Sequence, residues 1–379
     1  MLTAKRLAAA ALYVYVCTIL PAAAASSPVS DDETLILTGT VDGPRLRAIA
    51  DSIPSLRRLD LSATTMTSLP AYSLAASAIE EIILPESLTA ICEGALAGTP
   101  LRSLTIPAAV SVIEPYALSG CTALETIEGG SALRVIGEGA MRRCTALRSV
   151  PFPSTLASIG PSALRGSAIV SADLSRCTRL ASIGEWAMSG CLSLESISLP
   201  GNMRNIGRGA FFGDRALSRI TIASGLDSIS DFAFAHASSL SEVDASSLTS
   251  IPALGSGTWH GTDQSAATLT VLESMLDDFA ATLGWNEFHI AAYSSVIPTE
   301  GATAAALTAA FAGQQLRVAS PAPALTVTVY STDGRLRRSY DVSAQESPYA
   351  LDASALNPEL YIIAVTMADG SMSAVKARK

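Results

Sequence analysis

A repeat solenoid of nine short stacked coils, capped at both ends and followed by a small all-β sandwich, is the fold class this sequence predicts. Two observations carry that expectation. First, a unit of about 23 residues recurs from Leu56 to Trp259, clearest in LRSLTIPAAVSVIEPYALSGCTA from Leu101 and LESISLPGNMRNIGRGAFFGDRA from Leu194. The lead residues are Leu56, Ile79, Leu101, Leu124, Leu147, Ile169, Leu194, Leu217 and Leu240, with steps of 23, 22, 23, 23, 22, 25, 23 and 23. A fixed period of this length marks a solenoid, in which each thin unit buries its apolar positions only against its neighbours. Second, beyond residue 313 the apolar period changes to plain alternation, the pattern of antiparallel strands.

Residues 1–25 are read as a signal peptide rather than as fold. Lys5 and Arg6 precede an apolar run over 7–20, then Pro21 and an alanine run ending at Ala25. The run is short for a bilayer span. Cys17 admits a lipoprotein signal as the competing reading, although Val16 before it is larger than the small residue such a signal needs. No other segment is long and apolar enough to cross a membrane, so the mature chain is expected to lack a transmembrane span.

Removing that segment takes away two basic residues and no acidic ones, moving the net charge from −9 to −11. Such an acidic chain argues against nucleic acid as a partner, because phosphate binding needs concentrated positive charge. The only lysines are Lys5, Lys376 and Lys379. A high-GC genome is the ordinary reading of that scarcity, and resistance to Lys-specific proteolysis the sharper one. Asp31, Asp32 and Glu33 read as a disordered acidic start.

Residues 26–55 form the expected N-terminal cap, with a strand at 35–37 and an amphipathic helix over 44–53 that turns Leu46, Ile49, Ala50 and Ile53 inward. The nine units occupy 56–259. Each opens on Leu-x-x-Ile-x-Leu-Pro, a short strand stopped by proline. Further along comes a second ladder, Ile91, Ile113, Ile136, Ile159, Ile183, Ile206 and Ile229. Four residues beyond each stands an alanine (Ala95, Ala117, Ala140, Ala163, Ala187, Ala210, Ala233) followed by Leu, Met or Phe, which suits a tight turn packed inward. Gly98, Gly120, Gly166, Gly190 and Gly213 close most units, where a positive φ is expected.

Stacking the units exposes a candidate binding face of outward strand positions: Arg58, Asp60, Glu81, Ile83, Ser103, Thr105, Thr126, Glu128, Ser149, Ser171, Asp173, Ser196, Ser198, Arg219, Thr221, Glu242 and Asp244. Its middle is short Ser and Thr with acid toward both ends. It suits a polar protein or a glycan, and plain solvation of a sheet explains it equally well. It lacks the aromatic anchors that mark hot spots. Beside it, Arg57, Glu80, Arg102, Glu125, Arg148, Val170 and Glu195 follow the leads and nearly alternate in charge, a ladder that helps fix register.

Residues 260–298 are the expected C-terminal cap, with a strand through Leu269 and Val271, a helix over 273–283, and Trp285 and Phe288 plugging the open edge. Residues 299–313, rich in Ala, Thr and Gly, read as a linker. Residues 314–379 read as the β-sandwich, with turns at Asp333-Gly334 and Asp369-Gly370.

Five cysteines remain after export, and an odd count rules out complete internal pairing. Cys121, Cys144 and Cys191 fall at one point of their units and read as small buried hydrophobes, with a disulfide between some pair as the alternative. Cys92 and Cys177 lie elsewhere, no CxxC exists and no histidine is near, so a zinc site is not expected. His236, His260 and His289 lack partners at catalytic or metal spacing and read as turn or cap residues. Asp277 and Asp278 read as a solvated helix face. No nucleophile elbow, phosphate loop or HExxH is present. The expectation is a non-enzyme without catalytic residues, cofactor or metal.

The unit itself, Leu-x-x-Ile-x-Leu-Pro, then Ile, Ala with a large apolar neighbour, Gly and Cys-Thr-x-Leu, resembles the BspA-like leucine-rich repeats of bacterial surface proteins. Gly284, Trp285 and Phe288 are similar to the Gly-Trp-x-x-Phe cap that often follows such repeats. The last 60 or so residues resemble the C-terminal sorting domain of the type IX secretion system of the Bacteroidota. That second likeness rests on Val327, Val329, Tyr330, Gly334, Arg335, Leu351, Leu356, Tyr361, Ile363 and the basic end Lys376, Arg378 and Lys379. Glu359 stands where that domain usually has Gly. The resemblance implies an exported protein at the outer cell surface or outside the cell. It would bind a protein or glycan on a host or bacterial surface and engage the type IX machinery through its C-terminal domain. A structural component of the envelope or of a biofilm matrix is the alternative.

Overall fold

The computed structural model describes residues 34–293 apart from Ala223, and then 307–312, 315–320, 323–331, 336–343, 348–354, 356, 360–368 and 372–379. The expected signal peptide, the acidic start at 31–33, most of the linker, both Asp-Gly turns and Glu359 lie outside these residues. The chain divides into two units at Tyr293 and Ser294.

In the first unit all nine lead residues are buried, the least covered being Leu240 at 4% exposure. The second ladder is a single parallel sheet of nine two-residue strands, from Ser68–Leu69 to Ala253–Leu254. Register is strict: Leu69, Ile91, Ile113, Ile136, Ile159, Ile183, Ile206, Ile229 and Leu254 each face the next. Branched side chains stacked in this way exclude water along the whole axis.

Across the interior, the longer lead strands form three hydrogen-bonded groups. These are Thr34–Gly39 with Arg58–Thr64 and Glu81–Ile83, then Ser103–Ile106 with Thr126–Gly129, and then six strands from Ser171–Asp173 to His289–Tyr293. The break before Ser171 has a local cause. Pro151 and Pro153 follow Val150 in the fifth coil and supply no N–H, leaving a single bridge between Thr126 and Ser149.

The alanine ladder is fully buried, and so is the large residue after each alanine. Toward the C-terminal end that residue becomes aromatic. Phe211 stacks on Phe234 at 5.1 Å and Phe234 on Trp259 at 5.0 Å, and Trp285 and Phe288 close the stack edge-on. The Trp285 indole N–H donates to the Pro252 carbonyl at 3.2 Å, whereas the buried Trp259 indole nitrogen beneath it has no hydrogen-bond partner.

At the other end the cap is a strand and a helix, Gly43–Ser52, whose first turn contains Pro44 and whose Asp42 side chain accepts from the Arg45 N–H. Leu46 is buried, with Ile49 and Ala50 packed beside it. The C-terminal cap differs from expectation in two ways. The helix is shorter, a 3-10 turn Glu273–Met275 and an α-helix Leu276–Ala281. A further strand, His289–Tyr293, pairs in parallel with Thr268–Leu272 and extends the lead sheet by one row.

The second unit is two antiparallel sheets. Thr308–Ala312, Gln315–Ala319 and Tyr349–Asp352 form one, and Leu336–Asp341, Ala324–Ser331, Leu360–Met367 and Met372–Arg378 the other. Leu316, Val318 and Tyr349 from the first share a core with Val327, Val329, Ile363 and Val365 from the second. The segment read as a linker ends instead in the edge strand Thr308–Ala312, which pairs with Gln315–Ala319 and packs Ala309 and Phe311, with Leu307 before them, against the core.

Candidate binding surface

Parallel register gathers the candidate residues into two outward columns. In the first, Arg58 faces Glu81, Ser103 faces Thr126 and then Ser149, and Ser171, Ser196, Arg219 and Glu242 follow one another. In the second, Asp60 faces Ile83, Thr105 faces Glu128, and Asp173, Ser198, Thr221 and Asp244 run in series. The cap adds Thr268 and His289 to the first column, residues that the sequence pattern did not place there. The alternation in HIAAY was the signal, obscured by its position directly after the Phe288 plug.

In the first column the charges answer one another, whereas those of the second are all acidic. Arg58 pairs with Glu81 at 3.3 Å and Arg219 with Glu242 at 2.8 Å. Next to the columns, Glu80 sits between Arg57 and Arg102, at 3.4 and 3.6 Å. Cross-strand neighbours about 4.8 Å apart impose these pairs.

A second surface lies where each coil turns after the isoleucine ladder. One position there reads Tyr72, Gly94, Tyr116, Gly139, Ser162, Trp186, Gly209, Phe232 and Gly257, and all nine have φ between 53 and 61°. The left-handed backbone points each N–H along the axis. Tyr72 donates to the Glu93 carbonyl, Gly94 to Pro115, Tyr116 to Glu138, Gly139 to Pro161, and so on to Phe232 and Ser256, at 2.8–3.1 Å. For a non-glycine residue that backbone costs roughly 1–2 kcal/mol.

The rings explain the alternation. A Cβ on Gly94 would lie 2.3 Å from the Tyr72 ring, on Gly139 2.5 Å from Tyr116, on Gly209 2.3 Å from Trp186, and on Gly257 2.7 Å from Phe232. Each aromatic thus occupies the space of the residue one coil on, which must be glycine. The Tyr72 hydroxyl donates to Glu93 and that of Tyr116 to Glu138, which raises both phenol pKa values. Arg208 lies 5.9 Å from the Trp186 ring centre, within cation–π range. A chain of edge contacts runs from Trp186 through Phe212 and His236 to His260 at 5.2–5.6 Å. Tyr72 is 51% exposed and borders a hollow of about 480 Å³ shared with Pro44, Arg47 and Pro70.

Between the two surfaces runs a buried ladder of small residues: Ser77, Thr99, Cys121, Cys144, Ser167, Cys191, Asp214 and Ala237. Cys121 and Cys144 donate to the Leu96 and Leu118 carbonyls at 3.1 Å, and Thr99 and Ser167 lie 3.3 Å from Cys121 and Cys191. All five cysteines of the described residues are free, Cys92 half-buried and the others buried. Burial, and then the Asp214 charge, pushes the Cys191 thiol up to about 12. Asp214 is fully buried; one carboxyl oxygen accepts from the Cys191 N–H at 2.8 Å and the other has no partner. Burial holds its pKa well above the usual carboxylate range.

Among the described residues no group of His, Cys, Asp and Glu could hold a metal, and no helix is long and apolar enough to cross a membrane. A rigid stack of in-register coils with two continuous polar or aromatic surfaces defines a leucine-rich repeat solenoid, a class typically of non-enzymatic binding proteins. The chain belongs to the BspA type leucine rich repeat family, whose model matches residues 52–171 and 169–254, more than half of its length.

Among solved structures it is similar to a leucine-rich repeat protein from Bacteroides ovatus ATCC 8483, with 15% identity over 68% of this chain and 88% of that one and a TM-score of 0.34. It is also similar to the pneumococcal vaccine antigen PcpA, with 15% identity, 63% and 62% coverage and a TM-score of 0.38. A third is a leucine rich cell surface protein from Faecalibacterium prausnitzii A2-165, with 24% identity, 55% and 65% coverage and a TM-score of 0.29. The chain thus spans under two thirds of the length of the last two. No curated protein matches it.

Proposed function

We propose that this chain is an exported, adhesin-like protein of the outer cell surface or extracellular space, and that its solenoid binds a protein or glycan on a host or bacterial surface. The observation that carries the reading is the pair of outward columns, borne on three groups of lead strands over a frame locked by coil-to-coil hydrogen bonds. A preorganised surface loses little entropy on binding, which is what a repeat scaffold offers a large partner. The C-terminal unit would act as the type IX export signal, and the first 25 residues as the signal for crossing the inner membrane.

The test is binding of the purified full chain to an array of matrix proteins, mucins and glycans, with the charge reversal of Arg102 and Glu125 as control. Saturable binding weakened by the reversal supports the strand face as the contact. Saturable binding that the reversal leaves unchanged moves the contact elsewhere on the solenoid. No binding by the folded chain refutes the adhesin reading. For the export signal, deleting residues 314–379 should leave the protein in the periplasm, and continued surface display would refute that role.

One observation favours the second reading, a structural component of the envelope or biofilm matrix: in the first column Arg58 and Glu81, and Arg219 and Glu242, neutralise each other across rows, as on a surface built to be solvated. Self-association of the pure chain without any added ligand is the result that reading requires.

A further inference from the structure

The series of lead strands begins and ends on an open edge. Among the described residues its first row, Thr34–Gly39, is paired only with Arg58–Thr64, and its last, His289–Tyr293, only with Thr268–Leu272. Bonding between rows follows one rule. Outward residues turn their N–H back to the preceding row, as Thr268 does to Ser241 and His289 to Ala267; inward residues turn theirs onward, as Leu199 does to Thr221. By that alternation Ile290 and Ala292 hold their N–H and C=O toward the open side of the last row. Thr34, Ile36 and Thr38 hold theirs toward the open side of the first, since the Gly39 carbonyl already faces Thr65.

We propose that these two edges join head to tail, the first row of one copy of this chain adding in parallel to the last row of another. The proposal rests on the second reading above, self-association, and names the surfaces that carry it.

Backbone, side chains and charge select a second copy as the occupant. The backbone groups offered by the two edges are those that join any two rows inside the solenoid, so the joint repeats an existing contact. Placing Thr34 opposite His289 sets Leu35 on Ile290, and the inward ladder runs on through the joint. Leu35 and Ile290 pack on the core but stay partly buried, as do Ile49 and Ala50 at one end and Leu272 and Leu276 at the other. A further row would cover them. Neither edge carries the usual blocks to strand addition: TLILTG and HIAAY contain no proline, no lysine and no inward charge. Charge sets the polarity of the joint. The C-terminal cap holds Asp263, Glu273, Asp277, Asp278 and Glu287 without a lysine or arginine, so two such caps repel. In the N-terminal cap, by contrast, Arg45 and Arg47 balance Asp42 and Asp51. A heterologous joint of this kind does not close on itself, and growth continues from both ends.

The experiment follows the mass of the purified full chain by analytical ultracentrifugation over about a hundredfold range of concentration. Ala292→Pro blocks the last row and Ile36→Pro the first. Each removes an N–H that faces the open side and none that serves the chain's own sheet. Thermal unfolding checks that the variants are folded, and Ala292→Lys and Thr34→Lys stand in for a proline variant that is not. The expected result is wild-type association that passes beyond a dimer as concentration rises, with each variant monomeric alone. An equimolar mixture of the two variants should form a dimer and stop there, because one supplies the intact first row and the other the intact last row. A variant that dimerises alone would show that like ends join and would overturn the proposal. Equal association by wild type and both variants would leave self-association standing on another surface and remove this one. A wild-type chain that stays monomeric throughout would sink both the proposal and the self-association reading.

Discussion

On the strand face, Ser196 sits in an extended strand and meets Ser171 and Arg219 one coil away on either side. On the turn edge, Trp186 is held at a φ of 55° and covers Gly209 one coil on, with Ser162 at the same position one coil back. The first surface leaves its side chains independent, because an outward residue on a strand does not constrain the backbone of the next row. The second ties the residues together in pairs, since a ring in one coil dictates glycine in the following one. A surface of the first kind can change one residue at a time; one of the second kind changes by twos.

That difference can be broken or sharpened by substitution. Gly209→Ala would put a Cβ 2.3 Å from the Trp186 ring in left-handed backbone, and it should cost roughly 1–3 kcal/mol. In a Trp186→Gly background the clash is gone and only the backbone cost remains, so the two changes should couple by about 1 kcal/mol or more. Ser196→Ala on the strand face should stay within about 0.5 kcal/mol in either background. Urea unfolding of the six chains, the Gly209–Trp186 cycle of four and Ser196→Ala in each background, measures all of this. Strictly additive effects of Gly209→Ala and Trp186→Gly would mean that the turn edge is no more coupled than the strand face.

Asp214 lies between the two surfaces, in the ladder where serine, threonine, cysteine or alanine stands in the other coils. Asp214→Ser should stabilise the solenoid by about 1–3 kcal/mol near neutral pH, because it removes a buried carboxyl oxygen with no partner. The Cys191 N–H keeps its bond to the Met188 carbonyl. The folded-state pKa of Asp214 is raised, so between the unfolded value and the folded one the native chain binds the extra proton, and stability falls as pH rises. The advantage of the serine variant should therefore be small below about pH 4 and grow toward neutrality. An advantage independent of pH would locate the effect in packing rather than in the carboxyl group.

The coils were legible in the sequence because stacking forces one residue class onto one place in every unit. The nine leads, the isoleucine ladder and the alanine ladder needed only alignment at a 23-residue step to be seen. The two columns of the strand face followed from them, since alternation along a strand assigns the outward residues. The ring-glycine pairs follow a longer period, and the 25-residue step after Ile169 and Ser162 in place of a ring interrupt it, so averaging over units hides it. The strand Thr308–Ala312 was hard to read for a different reason: Leu307, Ala309 and Phe311 turn toward the core, but the alanine at the outward position 310 hides the alternation. The signal for Asp214 was its place 23 residues after Cys191, at the unit position of the buried cysteines, which a carboxylate seldom occupies.

The smallest effect tests whether the strand face is as independent as its geometry suggests. Arg219 and Glu242 make the shortest ion pair on it, at 2.8 Å, yet both side chains are largely solvated. An exposed pair of this kind contributes about 0–1 kcal/mol, and salt screens it. Arg219→Ala and Glu242→Ala should each change unfolding by less than about 1 kcal/mol and couple by less than that, with the coupling vanishing in about 1 M salt. A coupling as large as that of Gly209 with Trp186 would show that charge pairs bind the rows of the strand face together as firmly as rings bind the turns. The face would then belong to the frame of the solenoid.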